Sequence, residues 1–101
     1  MGKKLTEEMI KDKCANVDDI SSLIDLNFWA SDLEDVSILS EMPNVETVSL
    51  SLNKITSLQY FRSCSNLKEL FLRKNKIDNL REINYLKNLP NLKVLWLWDN
   101  P

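Results

Sequence analysis

A fixed spacing between asparagines is the feature that most constrains the fold of this 101-residue chain. Asn53 and Asn75 lie 22 positions apart, and Asn100 follows 25 positions later. Each ends a segment of the form L-x-x-L-x-L-x-x-N, with Val allowed for Leu, and Ser31 ends a similar segment 22 positions before Asn53. Self-similarity at such a period is typical of solenoids. We therefore predict four repeats over residues 23–101, the first of them degenerate.

Each repeat begins with a pattern that predicts a short strand. Apolar and outward residues alternate around Leu26, Val48, Leu70 and Leu95. Successive repeats would place these strands side by side and parallel on a concave face. An asparagine side chain has donors and an acceptor, so it can satisfy backbone groups where the chain bends after a strand. We predict that this position forms a structural ladder of Ser31, Asn53, Asn75 and Asn100. Ser31 can make only some of the hydrogen bonds that an asparagine makes there.

The segments between the strands have an apolar residue at every third position, which favours 3₁₀ turns. After Asn75 the inward series is Ile77, Leu80, Ile83, Leu86, Leu89 and Leu92, and the longest turn is expected at 80–89. A helix is expected from about residue 7 to 15, capped by Thr6. The predicted fold is therefore an α/β solenoid with a capping helix and lead-in at 1–22 and repeats at 23–101. We also expect the natural protein to continue past Pro101.

The composition excludes most enzyme chemistry. The chain has no histidine and one glycine, Gly2, so it lacks a Ser-His-Asp triad, a His-ligated metal and a phosphate-binding glycine loop. Cys14 and Cys64 are too few for a four-ligand zinc site and are expected to be inert thiols. The acidic clusters at 18–19 and 32–35 are expected to cap backbone amides. We predict no catalytic residue, metal or cofactor, and neither an export signal nor a membrane span.

We expect the functional residues on the concave face, because the residues of the ladder and of the convex side are needed to stabilise the fold. Aromatic residues with an arginine are the usual anchors of protein interfaces. The candidate protein-binding residues are Trp29, Glu69, Phe71, Arg73, Trp96 and Trp98. We predict that a partner docks across the last two strands, with Trp96 contributing most. Alternatively, Trp96 and Trp98 contact a C-terminal cap.

A basic run at residues 73–76, with Arg81, stands out in a chain of formal net charge −2. Three interpretations stay open: a solvated rim, a site for an acidic protein partner, or a nucleic-acid site. The negative net charge argues against nucleic acid.

Particular segments carry a family resemblance. The 22-residue repeat with period-three convex segments resembles the leucine-rich repeats of the phosphatase-regulator class. The NxW of Asn27 and Trp29, EMPN at 41–44, FLRKN at 71–75 and YLKNLPNLKVLWL at 85–97 are similar to the cilia- and flagella-associated leucine-rich-repeat proteins of the basal body. The similarity covers about residues 3–101.

This resemblance implies a non-catalytic, cytoplasmic scaffold of the basal body in ciliogenesis. It implies a protein partner, a NIMA-related ciliary kinase among the candidates, and oligomerisation through a C-terminal region absent here. The alternative is a nuclear ribonucleoprotein adaptor that holds an RNA-binding protein on the concave face of the same repeat type.

Overall fold

The computed structural model describes residues 2–14 and 18–101. One α-helix, six short strands and four 3₁₀ segments follow one another along the chain. The N-terminal part holds β1 (Lys3–Lys4) and α1 (Glu7–Lys13). The remaining strands are β2 (Asp25–Asn27), β3 (Leu33–Asp35), β4 (Thr47–Ser49), β5 (Glu69–Phe71) and β6 (Val94–Trp96). The 3₁₀ segments are Ile20–Ser22, Ser37–Glu41, Gln59–Ser63 and Leu80–Leu86.

The concave face is a four-stranded parallel sheet in the order β2-β4-β5-β6. Leu26 pairs with Val48, Val48 with Leu70, and Leu70 with Leu95, so the sequence period becomes the strand register. These four apolar side chains point inward while their neighbours point outward, because side chains alternate along a strand. The predicted parallel repeat solenoid is confirmed.

The turn after each strand needs an unusual backbone conformation. Ala30, Leu52, Lys74 and Asp99 all have φ between 52° and 60°, in the left-handed region that glycine normally occupies. Each directly precedes Ser31 or a ladder asparagine. The left-handed residue reverses the chain so that the next side chain turns back under the strand.

The convex side is made of 3₁₀ segments, as the period of three predicts. The longest is Leu80–Leu86, within the predicted 80–89 region. Leu58, Phe61, Cys64 and Leu67 are fully buried, which agrees with the inward series of the second repeat.

One prediction about the convex core is wrong. Leu80 was expected to point inward, but its side chain is 81% exposed, whereas the equivalent Leu58 is completely buried. A solenoid residue is covered by the repeats on both sides of it. The convex segment Leu80–Leu86 packs against the preceding segment Gln59–Ser63, whereas the described residues include no convex segment after β6 to cover Leu80 in the same way.

The N-terminal helix covers the first repeat. Thr6 caps it by accepting a hydrogen bond from the Met9 N–H at 3.2 Å, as predicted. Leu5 and Ile10 are fully buried, and the Lys13 ammonium lies 4.6 Å from the centre of the Phe28 ring. The helix ends at Lys13, earlier than expected, and residue 15 lies outside the described residues.

A strand not expected from the sequence also joins the N-terminus to the solenoid. β1 pairs parallel to β3, and the Gly2 N–H donates to Glu34 Oε1 at 2.8 Å. A Cβ on Gly2 would lie 2.4 Å from the Glu34 Cβ, so this approach requires glycine.

Among the described residues, none of the helices has the length and apolar character needed to cross a bilayer.

Candidate protein-binding surface

The asparagine after β4 binds backbone groups of its own repeat and of the preceding one. The Asn53 Nδ2 donates to the carbonyl oxygens of Leu50 at 2.8 Å and Phe28 at 2.9 Å. Its Oδ1 accepts from the N–H groups of Leu33 at 2.8 Å and Ser31 at 3.0 Å. The side chain therefore joins two consecutive turns of the solenoid.

The next two repeats contain the same arrangement. Asn75 and Asn100 each donate to the carbonyl three positions before them, and they accept from the N–H groups of Ile55 and Ile77, respectively, both at 3.1 Å. Ser31 makes a smaller contribution, since its hydroxyl donates only to the Trp29 carbonyl oxygen at 3.2 Å. No fully buried side-chain nitrogen or oxygen in the described ranges lacks a partner. The ladder asparagines thus bind backbone groups in the interior and at the turns of the solenoid.

Three tryptophans project from that concave face, and the chain has no others. Trp29, Trp96 and Trp98 are 61%, 51% and 73% exposed. The parallel hydrogen bonding that aligns them continues past the three-residue strands, since the Ala30 and Lys74 N–H groups donate to carbonyls of the next repeat. We call Trp29, Phe71, Arg73, Trp96 and Trp98 the concave aromatic surface.

Phe71 and Trp96 pack edge to face within this surface. Their ring centroids are 4.9 Å apart and the rings are nearly perpendicular, at 78°. Edge-to-face packing of this kind is favourable for aromatic rings, so it favours one relative orientation of the two side chains. An exposed aromatic pair whose relative orientation is already favoured costs less entropy when it binds a partner.

Arg73 lies beside the aromatic pair with most of its hydrogen-bonding capacity free. Its Nε is 3.8 Å from the Asp99 carboxylate, and both side chains are about half exposed. An ion pair this long and this exposed contributes little stability. The guanidinium fork therefore remains available for a carboxylate from outside.

A depression lies between Trp29 and the aromatic pair, with a volume of about 330 Å³. Its floor consists of small side chains, Ser49 and Ser51, which belong to the repeat between the large residues. Further lining residues are Leu52, Arg73 and Trp96. Both serines occupy outward positions of the β4 repeat, and neither is among the candidate binding residues inferred from the sequence. The pattern that identifies them is a small residue whose equivalent positions in the neighbouring repeats hold large residues.

Glu69, the remaining candidate, lies at the start of β5 away from the depression. It is half-buried, and its Oε1 accepts a hydrogen bond from the Thr47 hydroxyl at 3.2 Å. Asp25 is exposed in the same register row. Asp25 and Glu69 thus place carboxylates at the starts of β2 and β5, whereas Arg73 and Lys74 follow the end of β5.

The acidic clusters take structural positions. The carboxylates of Asp19 and Asp35 accept hydrogen bonds from backbone N–H groups two residues later, and these bonds lower their pKa values. Asp32 pairs with Lys54 at 2.7 Å, which lowers the Asp32 pKa. Within residues 2–14 and 18–101, no group of three His, Cys, Asp or Glu residues is placed to hold a metal ion.

The two cysteines differ in burial. Cys64 is completely buried, and desolvation raises the pKa of its thiol to about 11, which suppresses the reactive thiolate. Cys14, at the end of α1, is only partly buried. It lies where α1 ends, so one side of it faces solvent.

Comparison with known proteins agrees with this architecture. A family model for leucine-rich repeats (two copies) matches residues 43–88 and 65–101, more than half of the chain. The chain belongs to the leucine-rich-repeat family. The leucine-rich-repeat chain is also 46% identical over 98 residues to mouse cilia- and flagella-associated protein 410, and this alignment covers 97% of the chain and 39% of the mouse protein. The chain thus spans about two fifths of that relative.

Solved structures share the fold. Human 5T4 superimposes with a TM-score of 0.70 at 24% identity, over 98% of this chain and 37% of 5T4. A chain of the Drosophila melanogaster SNF/U2A′ complex superimposes with a TM-score of 0.69 at 22% identity, over 80% of this chain and 48% of that one. At these identities the likeness shows the repeat architecture alone.

Proposed function

We propose that this leucine-rich-repeat chain is a non-catalytic scaffold that binds a protein partner through the concave aromatic surface. The observation that carries the proposal is the exposure of all three tryptophans on one face, next to Phe71 and Arg73. Exposed apolar patches of this kind mark interaction sites on soluble domains. Tryptophan and arginine are also the residue types most enriched among energetic hot spots.

We further propose that the scaffold acts at the basal body of the cilium or flagellum, in ciliogenesis. The support is the 46% identity to the mouse cilia- and flagella-associated protein over nearly the whole chain. The resemblance noted in the sequence makes a NIMA-related kinase the first partner to test. Oligomerisation of a longer protein through its C-terminal region is part of the same proposal.

The test is to replace two residues of the surface in the full-length protein and follow its partners and its place in the cell. Trp96→Ala removes a half-exposed ring, and Arg73→Glu reverses the charge beside it. We expect each variant to melt close to the wild type and to lose kinase co-purification and basal-body targeting.

Matched controls separate the surface from general damage. Ile24→Ala removes an apolar side chain with the same 51% exposure as Trp96, and Arg81→Glu reverses an exposed charge on the convex side. Both controls should behave as wild type. If Trp96→Ala and Arg73→Glu fold and keep every partner, the concave surface is not the binding site. Nuclear localisation with retention of an RNA-binding protein would instead favour the ribonucleoprotein adaptor.

A further inference from the structure

We propose that the depression floored by Ser49 and Ser51 is an anchor site for one large apolar side chain of a partner segment. In the same proposal, Arg73 binds a carboxylate adjacent to that side chain. The occupant is thus a short protein segment in which Phe, Trp, Leu or Met stands within two positions of Asp or Glu. The inference rests on the proposed function, because it specifies what the concave aromatic surface recognises.

The shape of the depression follows from the register of three consecutive repeats. Ser51 occupies the row between Trp29 on one side and Arg73 on the other, and Ser49 pairs with Phe71 in the row before. Neighbouring strands are about 4.8 Å apart, so the first and third repeats are separated by about 10 Å. With only a serine between them, that gap has room for one inserted side chain.

The walls of the depression favour an apolar side chain. Trp29 forms one wall, and the edge-to-face Phe71–Trp96 pair forms the other. Leu52 completes the lining.

The positive charge of Arg73 and Lys74 beside the depression favours an acidic residue next to the inserted apolar side chain. Arg73 and Lys74 lie at the carboxyl end of β5, and both are exposed. Among the described residues, the Arg73 guanidinium has one ionic contact, the 3.8 Å approach of its Nε to the Asp99 carboxylate. A partner carboxylate could instead form two parallel hydrogen bonds with the guanidinium, which is the stronger arrangement.

A protein segment fits this face better than a nucleic acid does. Bases could stack on the tryptophans, but a phosphate backbone requires a continuous positive track. Asp25 and Glu69 add negative charge at the amino ends of the same strands, and the formal net charge of the chain is −2.

The experiment is a selection of phage-displayed random dodecapeptides on the immobilised protein, followed by titration of the enriched peptides. Trp29, Trp96 and Trp98 are the tryptophans of this chain and all lie on the surface, so their fluorescence reports binding there. We expect enriched peptides that pair a large apolar residue with Asp or Glu. Enrichment of peptides without that pair, or of none, would overturn the proposal.

Three variants test the anchor itself. Ser49→Leu fills the depression and should weaken the enriched peptides by about tenfold or more, the usual effect of losing a hot-spot contact. Ser65→Leu makes the same substitution at an exposed serine outside the depression and should bind within about twofold of wild type. Arg73→Glu needs no change in packing and should shift the selection from acidic to basic peptides.

The outcomes distinguish this inference from the proposed function. If Trp96→Ala abolishes partner binding in the full-length protein while a folded Ser49→Leu variant binds normally, the surface is used but the anchor proposal is wrong. Should Ser49→Leu fail to fold, an unchanged peptide preference in Arg73→Glu would refute it equally. Tighter binding of oligouridine than of the enriched peptides, with quenching of the same tryptophans, would replace it with a nucleic-acid site.

Discussion

At the scale of single residues, the buried asparagine after each strand joins consecutive repeats. Asn53 and Asn75 are 5% and 4% exposed, and each binds backbone groups of two turns of the solenoid. A backbone donor or acceptor left unpaired in the interior costs far more than an exposed one. The stability of each turn therefore depends on one side chain.

Replacing Asn75 with alanine should lower the free energy of unfolding by roughly 1–3 kcal/mol, because buried backbone groups lose their partner. The matched control is Asn66→Ala, since Asn66 bonds only Asn44, at 3.3 Å on the surface. Chemical denaturation of both variants measures the difference. Equal losses for the two would contradict the structural assignment of the ladder.

The left-handed residues before the ladder positions give a second prediction at this scale. Lys74 is exposed and has φ 58°, so glycine at this position removes steric strain. Lys74→Gly should be neutral or stabilising by about 0.5 kcal/mol, whereas Lys76→Gly, two positions later, should cost about 0.5–1 kcal/mol. Thermal melting compares them, and the reverse order would argue against a left-handed Lys74.

At the scale of elements, the N-terminal helix closes the core of the solenoid. α1 is only seven residues long, too short to persist by itself, so it depends on its cap and on the burial of Leu5 and Ile10. The Lys13 ammonium over the Phe28 ring adds a contact between the end of the helix and the first repeat.

Removing the N-cap side chain of Thr6 should therefore lower the stability of the whole domain. Thr6→Ala is expected to cost about 1 kcal/mol, the usual value for a lost N-cap side chain. Thr56→Ala, an exposed threonine in the second repeat, is the control and should lie within about 0.5 kcal/mol of wild type. If urea denaturation gives the same midpoint for Thr6→Ala and the wild type, the Thr6 side chain does not stabilise α1.

At the scale of the whole molecule, charge governs how stability responds to pH. Backbone hydrogen bonds lower the pKa values of Asp19 and Asp35, and the Lys54 ammonium lowers that of Asp32. A carboxyl group whose pKa is lower in the folded state stabilises the fold above its unfolded pKa of about 3.9, and this stabilisation is lost as the pH falls through the folded value.

The melting temperature should accordingly be nearly constant between about pH 6 and 8, because the chain has no histidine, and should fall below about pH 4. Asp35→Asn keeps an oxygen to accept the Ser37 N–H but cannot titrate, so its acid limb should be shallower. Scanning calorimetry from pH 2 to 8 tests both statements. A transition near pH 6.5, or an identical acid limb in the variant, would be inconsistent with them.

The sequence by itself determined the features that repeat or are local. The 22-residue period set the parallel register of Leu26, Val48 and Leu70, because identical turns stack only in one way, and the pattern around Thr6 predicted its cap. The same period predicted that the aromatic residues share one face, since side chains alternate along each strand. These inferences need no knowledge of distant contacts.

Only the tertiary structure decided what depends on neighbours across repeats. Leu80 is exposed because burial in a solenoid comes from the adjacent turn, which a residue's own repeat cannot reveal. β1 pairs with β3 through a two-residue strand too short to leave a pattern. The depression over Ser49 and Ser51 exists because large side chains of two other repeats surround small ones, and that juxtaposition forms only when the turns stack.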